Sequence, residues 1–175
     1  LTGVTTVGDG AVTKTSDSTN VLTVDADGRA TIHGAGTAKV TISVASGTNY
    51  TAGNNSKPIT VQKGSISLNL KAGKKTGLMQ RLRAALGNVK DTYVLTLEAK
   101  GAYQDVLTGT VIFYENGQQL NQTQIPLTNG TASMEYSVPS AGTHEILAEY
   151  VLPTDGPEKE NYNDPAQVSC SLPIQ

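Results

Sequence analysis

The sequence predicts an all-β protein made of two antiparallel β-sandwiches in tandem, and three observations lead to this prediction. Short runs with apolar residues at every second position recur along the chain, separated by turn signals at intervals of about 8–12 residues. An Ala-Gly-Thr string, an alternating run, an Asn-Tyr pair and a short final run occur in that order twice, starting at Ala35 and at Ala141. The first 62 residues contain 13 Thr and are rich in Val and Gly, a composition that is typical of strands and turns.

The first half of the chain contains four strand signals. Residues 21–25 and 29–32 flank Asp27-Gly28, a pair that supplies the positive φ angles of a tight hairpin turn. Residues 39–45 alternate apolar with polar side chains, as in a strand with one buried face. Residues 57–62 close the first copy of the repeat.

The second half repeats this pattern with longer strands. Asn116-Gly117 and Asn129-Gly130 mark two tight turns between strands. The Asn-Tyr pair stands before the last strand in both copies, as Asn49-Tyr50 and Asn161-Tyr162, and we predict that each tyrosine ring closes one end of its sandwich. The predicted strands of this half are residues 65–70, 93–97, 110–115, 120–127, 132–138, 144–152 and 168–172.

Two stretches of the chain resemble bacterial Ig-like domains. Residues 17–32, which read Asp-Ser-Thr-Asn-Val-Leu-Thr-Val-Asp-Ala-Asp-Gly-Arg-Ala-Thr-Ile, and the following Gly-Ala-Gly-Thr resemble the group-2 type. Residues 108–117, 127–132 and 140–144 resemble the group-3 type. The resemblance implies two tandem immunoglobulin-like β-sandwich domains from a bacterial surface or secreted protein.

The resemblance and the repeat together predict two domains, at residues 1–62 and 63–175. The first domain lacks the usual opening strand of the family, which predicts an N-terminally truncated sandwich. The chain also starts abruptly at Leu1, so we expect it to be a piece of a longer protein.

One segment fits neither copy of the repeat and predicts a short helical insertion in the second domain, at about residues 71–90. Thr76 is a possible N-cap and Gly87 a possible C-terminal stop. The apolar residues between them recur at helical spacing: Leu78, Leu82, Ala85 and Leu86.

The same segment carries an unusual charge. Residues 63–90 contain seven basic residues and no acidic one, whereas residues 91–175 contain two basic and eleven acidic residues. One interpretation is that the cations lie against the acidic surface of their own domain. The other is an anion-binding surface for an acidic glycan or a partner protein. This predicted basic surface comprises Lys74, Lys75, Arg81 and Arg83. No aromatic residue is interleaved among these cations, so we expect no nucleic-acid binding.

The sequence contains no recognisable catalytic or metal-binding motif. His33 and His144 fall one in each repeat, which is not the spacing of a metal site, and no Gly-x-Ser-x-Gly elbow is present. Residues 25–28 resemble the start of a calcium loop, and residues 155–164 form an acidic stretch, but both are more typical of a turn and a solvated loop. We therefore expect no enzyme, no metal and no cofactor.

Two further features limit the class of protein. Cys170 is flanked by alternating residues, which indicates a small inward-facing hydrophobe rather than a reactive thiol. No apolar stretch approaches 18 residues, so we expect no membrane span in this fragment.

These expectations converge on a non-catalytic structural module that spaces or displays the neighbouring domains of a longer parent chain. The resemblance places it outside the cell or on the bacterial surface. The alternative is an adhesive or carbohydrate-binding module that recognises an acidic glycan, or a host or bacterial surface protein, through residues 71–90.

Overall fold

The chain folds into two compact units. A computed structural model describes residues 8–77, 90–103, 106–138, 141–165 and 167–174. The first unit comprises Leu1–Gly64 with Glu160–Tyr162, and the second comprises Ser65–Lys159 with Asn163–Gln175. All strands within the described sheets pair antiparallel, which confirms the all-β prediction.

The first unit contains a three-stranded sheet and a separate hairpin. Its strands are β1 (Val12–Ser16), β2 (Leu22–Val24), β3 (Ala30–Ile32), β4 (Gly36–Val44) and β5 (Gly53–Val61). The sheet has the order β1-β4-β5, and β2 pairs with β3. The sequence patterns predicted β2 to β5 but missed β1, which alternates without a buried apolar residue.

The core of the first unit is small. Val21, Leu22, Ala38 and Val40 are buried, and Val24, Ile59 and Val61 pack against them partly buried. The hairpin between β2 and β3 is present, but the prediction that Asp27 and Gly28 both have positive φ angles is wrong, because only Gly28 does, at 88°. The turn is stabilised by the Asp25 carboxylate, which accepts a hydrogen bond from the Arg29 N–H at 2.8 Å.

The second unit contains two sheets that follow the repeat pattern. Its strands are β6 (Ile66–Lys74), β7 (Thr92–Gly101), β8 (Thr110–Glu115), β9 (Gln118–Gln119), β10 (Ile125–Pro126), β11 (Thr131–Ser137), β12 (Gly142–Val151) and β13 (Val168–Ile174). One sheet has the order β11-β7-β6 and the other the order β10-β8-β12-β13, with β9 paired to β8. A short helix, α1 (Pro157–Asn161), precedes the last strand.

Alternation of side chains builds the core of the second unit. Leu95 and Leu97 on β7 and Val111, Phe113 and Ile146 on the facing sheet are all completely buried. Because every second residue of these strands faces inward, the two sheets close over one apolar layer.

Both predicted Asn-Gly turns are present. Asn116 and Gly117 have φ angles of 48° and 80°, and Asn129 and Gly130 have φ angles of 51° and 73°. Two successive positive φ angles are the signature of the type I′ hairpin turn, whose twist matches that of the flanking strands.

The prediction of one continuous strand at residues 120–127 is wrong. The chain there forms the two short strands β9 and β10, separated by an irregular segment around the buried Asn121. The Asn121 side chain accepts a hydrogen bond from the Phe113 N–H at 2.7 Å and donates one to the Val111 carbonyl at 3.1 Å. A side chain that satisfies the edge of β8 in this way removes the need for a strand there.

The two Asn-Tyr pairs differ in the structure. Tyr162 is 1% exposed but belongs to the first compact unit, so its burial does not test the prediction that its ring closes the end of the second sandwich. Tyr50 is 53% exposed, and the corresponding prediction is wrong there. Within the first unit the Asn161 side chain accepts a hydrogen bond from the Ala35 N–H at 2.9 Å. Residues 78–86 of the helix predicted between Thr76 and Gly87 lie outside the described residues.

Candidate functional site

The predicted basic surface is only partly described. Lys74 is the last residue of β6 and Lys75 follows it, so both stand at the end of the strand. Arg81 and Arg83 lie outside the described residues. The structure therefore gives positions for two of the four predicted residues, Lys74 and Lys75. That the four cations form one surface stays a prediction.

Three described lysines of this segment, Lys71, Lys74 and Lys75, are paired with carboxylates of the second unit. Lys74 Nζ lies 2.7 Å from Asp91 Oδ2, and Lys75 forms an ion pair with Glu135. Lys71 Nζ lies 2.7 Å from Glu98 Oε1. An anionic ligand would have to compete with these carboxylates for each lysine.

This pairing shifts the pKa values of Lys74 and Glu98. The hydrogen bond with Asp91 raises the pKa of Lys74 above its ordinary value. The hydrogen bond from Lys71 and its positive charge lower the pKa of Glu98. Because these side chains are exposed to solvent and salt, each pair contributes little to stability.

A buried polar cluster at one end of the second unit was missed by the sequence analysis. His144 Nδ1 contacts Glu115 Oε1, and the two side chains are 8% and 15% exposed. The buried Tyr136 hydroxyl lies close to the same carboxylate but outside hydrogen-bond geometry. Strand periodicity could have revealed the cluster, since all three residues stand in phase with apolar inward-facing neighbours.

The protonation states in this cluster follow from its surroundings. Burial alone would raise the pKa of Glu115, but the neighbouring Tyr136 hydroxyl and His144 imidazole outweigh that effect and lower it. Burial, together with the Glu115 carboxylate, raises the pKa of Tyr136. Little of the pair is accessible to solvent, so the two groups mainly face each other and the interior of the second unit.

The two acidic stretches considered for calcium are both engaged in local structure. The Asp25 carboxylate caps its own hairpin turn. Glu158 is buried and accepts hydrogen bonds from the Thr108 N–H at 3.2 Å and from the Thr108 hydroxyl at 2.9 Å. Among the residues that the structure describes, no group of three or more His, Cys, Asp or Glu is placed to hold a metal ion.

The single cysteine behaves as a strand residue. Cys170 pairs across the ladder with the completely buried Ile146 and is itself half-buried. Burial raises the pKa of its thiol, and the negative charge of Glu145 adds to this. A raised pKa keeps the thiol protonated and poorly nucleophilic, as expected from the sequence.

No helix in the described ranges is long and apolar enough to cross a membrane.

Comparison with known proteins finds one family match and one solved structure to report. Residues 5–48 match the family described as the intimin, immunoglobulin-like domain. Among solved structures, the chain is similar to the surface layer protein SbsC, domains 1–6, with 15% identity and a TM-score of 0.40. The similarity covers 93% of this chain and 20% of that one, so the chain spans about a fifth of its length. No curated protein sequence matches the chain. With the strand topology, the family match identifies the fold class as immunoglobulin-like.

Proposed function

We propose that the chain is a non-catalytic structural module of a bacterial surface or secreted protein, which spaces or displays neighbouring domains of a longer parent chain. The match of residues 5–48 to the intimin immunoglobulin-like domain carries this proposal. By this similarity, we infer a bacterial surface location and a structural role for this chain.

The side chains of the second unit support a structural role. Its buried polar groups, Glu115 with His144 and Glu158 with Thr108, are used within the fold. Its exposed lysines at the end of β6 are paired with its own carboxylates. This arrangement favours the interpretation in which the basic segment lies against its own acidic domain.

The experiment that tests the proposal is binding of the chain to a panel of acidic polysaccharides at low and physiological salt. We expect a structural module to show no salt-sensitive binding, because the described lysines Lys71, Lys74 and Lys75 already pair with neighbouring carboxylates. A variant with Lys74, Lys75, Arg81 and Arg83 all replaced by Gln should behave as the wild type does.

The opposite result would identify an adhesive module. Binding that weakens with salt and is lost in the fourfold Gln variant would overturn the structural proposal and make residues 71–90 a ligand surface. A matched variant, Lys39→Gln with Lys57→Gln in the first unit, controls for a general loss of positive charge.

A further inference from the structure

One face of the first unit carries uncharged polar side chains in two regular rows. Side chains alternate along a strand, so this face of β4 lies opposite the buried Ala38 and Val40. The register of β1, β4 and β5 aligns three side chains in each row. The two rows, called the neutral rows below, are Thr13, Ser43 and Asn54, and Thr15, Thr41 and Ser56.

The hydrogen-bonding groups of the neutral rows are not used by the described part of the protein. None of the six side chains forms a hydrogen bond with another described residue. The outer face of the β11-β7-β6 sheet in the second unit differs, because Thr96 bonds to Ser133 at 2.9 Å and Thr92 to Ser137 at 3.3 Å. Polar side chains that stay unpaired in an ordered sheet are available to a ligand.

A depression adjoins the first of the two rows. Its volume is about 370 Å³, and Thr13, Ser43 and Asn54 line it together with Ala45 and Ala52. Small apolar side chains combined with a few convergent polar groups are typical of a ligand site. This depression gives the row a concave end rather than a uniform solvated surface.

The chemistry of the rows defines the ligand. Neither row contains a charged residue. The charged residues nearest to the rows on β4 and after β1 are Lys39, opposite Pro58, and Asp17, whose carboxylate accepts a hydrogen bond from the Lys39 N–H at 2.7 Å. Hydroxyl and amide groups both donate and accept hydrogen bonds, so the complementary ligand is uncharged and rich in hydroxyls. Three antiparallel strands present an open surface rather than a closed pocket, which suits an extended chain.

We propose that the neutral rows bind an extended, uncharged glycan chain. This inference goes beyond the proposed structural role and uses none of the cations of the predicted basic surface. Because the rows offer hydrogen bonds but no aromatic stacking, we expect roughly millimolar dissociation constants for a single oligosaccharide. Repetition of the rows along the surface of a parent protein would raise the effective affinity.

The test is an amide chemical-shift titration of the whole chain with four uncharged hexasaccharides: cellohexaose, maltohexaose, mannohexaose and hexa-N-acetylchitohexaose. We expect saturable shifts of β1, β4 and β5 amides with at least one of them, unchanged by added salt because no ion pair is involved. The variants Thr41→Val and Ser43→Ala each remove one hydroxyl and should weaken binding by about fivefold. Thr96→Val in the second unit is the matched control and should leave binding unchanged.

Two outcomes overturn the inference. One is the absence of shifts in β1, β4 and β5 with all four sugars. The other is binding that persists undiminished in both first-unit variants while their spectra show an intact fold. Neither outcome affects the proposed structural role, which depends on the acidic-polysaccharide experiment.

Discussion

Single residues in this protein show how much a strand position constrains a polar side chain. Glu115, Tyr136 and His144 face inward because the alternation of their strands leaves no other direction. Burial of a carboxylate is tolerated there because a donor lies within reach. Asn121 shows the same rule at a sheet edge, where its amide takes the place of a ladder partner.

The Glu115 carboxylate should make the stability of the second unit depend on pH. Its pKa is lowered in the folded state, so its contribution is present above the unfolded value near 4.5 and is lost as the pH falls through the folded pKa. We expect the unfolding free energy of the second unit to fall as the pH drops below about 4.5. In Glu115→Gln that fall should be smaller. At neutral pH the variant should be less stable by about 1–3 kcal/mol, because the buried His144 loses its charged partner.

Urea denaturation at a series of pH values, followed by the amide signals of the second unit, measures this dependence. Glu135→Gln is the matched control, because that carboxylate is 60% exposed and pairs with Lys75 at the surface. Parallel pH profiles for the wild type and Glu115→Gln would contradict the role assigned to the cluster.

At the scale of elements, the turns are set by backbone conformation as much as by contacts. Both Asn-Gly pairs adopt positive φ angles at two successive residues, which few residue types tolerate. The surroundings of the two glycines nevertheless differ. A Cβ at Gly117 would meet no atom within 4 Å, whereas a Cβ at Gly130 would lie 3.0 Å from the Ala99 carbonyl oxygen.

This difference predicts an ordered pair of mutational effects. Gly117→Ala should cost about 1–2 kcal/mol of unfolding free energy, the penalty for a left-handed conformation. Gly130→Ala should cost more, because the added methyl group also presses on a backbone atom of β7 that cannot move aside. Chemical denaturation of the two single variants under identical conditions measures both costs. An equal or reversed order would show that the contact with Ala99 has no consequence.

At the scale of the whole molecule, the two units bury very different amounts of apolar surface. Among the described residues, five hydrophobic ones are buried in the first unit and sixteen in the second. Hydrophobic burial is the main favourable contribution to folding, and small domains have little of it to set against conformational entropy. The first unit is therefore the less stable of the two.

Hydrogen exchange of the native protein should show this difference directly. We expect amides of β4 to exchange at least about tenfold faster than those of β7 and β12, since the exchange of core strands reports the stability of their own unit. Leu22→Ala should abolish the protection of first-unit amides against exchange, because truncation of a buried leucine lowers the unfolding free energy by about 2–5 kcal/mol. Leu95→Ala is the matched control in the second unit. Equal protection of both units in the wild type would contradict the expectation.

The sequence by itself determined the fold class, the two Asn-Gly turns and most strands, because alternation and turn chemistry are local properties. It did not reveal β1, a strand with alternating side chains but no buried apolar residue. It also did not reveal the interruption at Asn121, where the side chain forms hydrogen bonds with β8 that a paired strand would otherwise form. The sequence also did not reveal that Tyr50 is exposed while Tyr162 is buried, because the burial of each ring depends on which other parts of the chain pack around it.

Only the tertiary structure decided which polar groups meet. Sequence spacing grouped Lys74 and Lys75 as a surface, but the acids that pair with them, Asp91 and Glu135, come from later segments. The neutral rows likewise exist only through the register of β1, β4 and β5, which brings together residues up to 41 positions apart. Local pattern fixes the direction in which a side chain points, while strand pairing fixes its neighbours, and a site needs both.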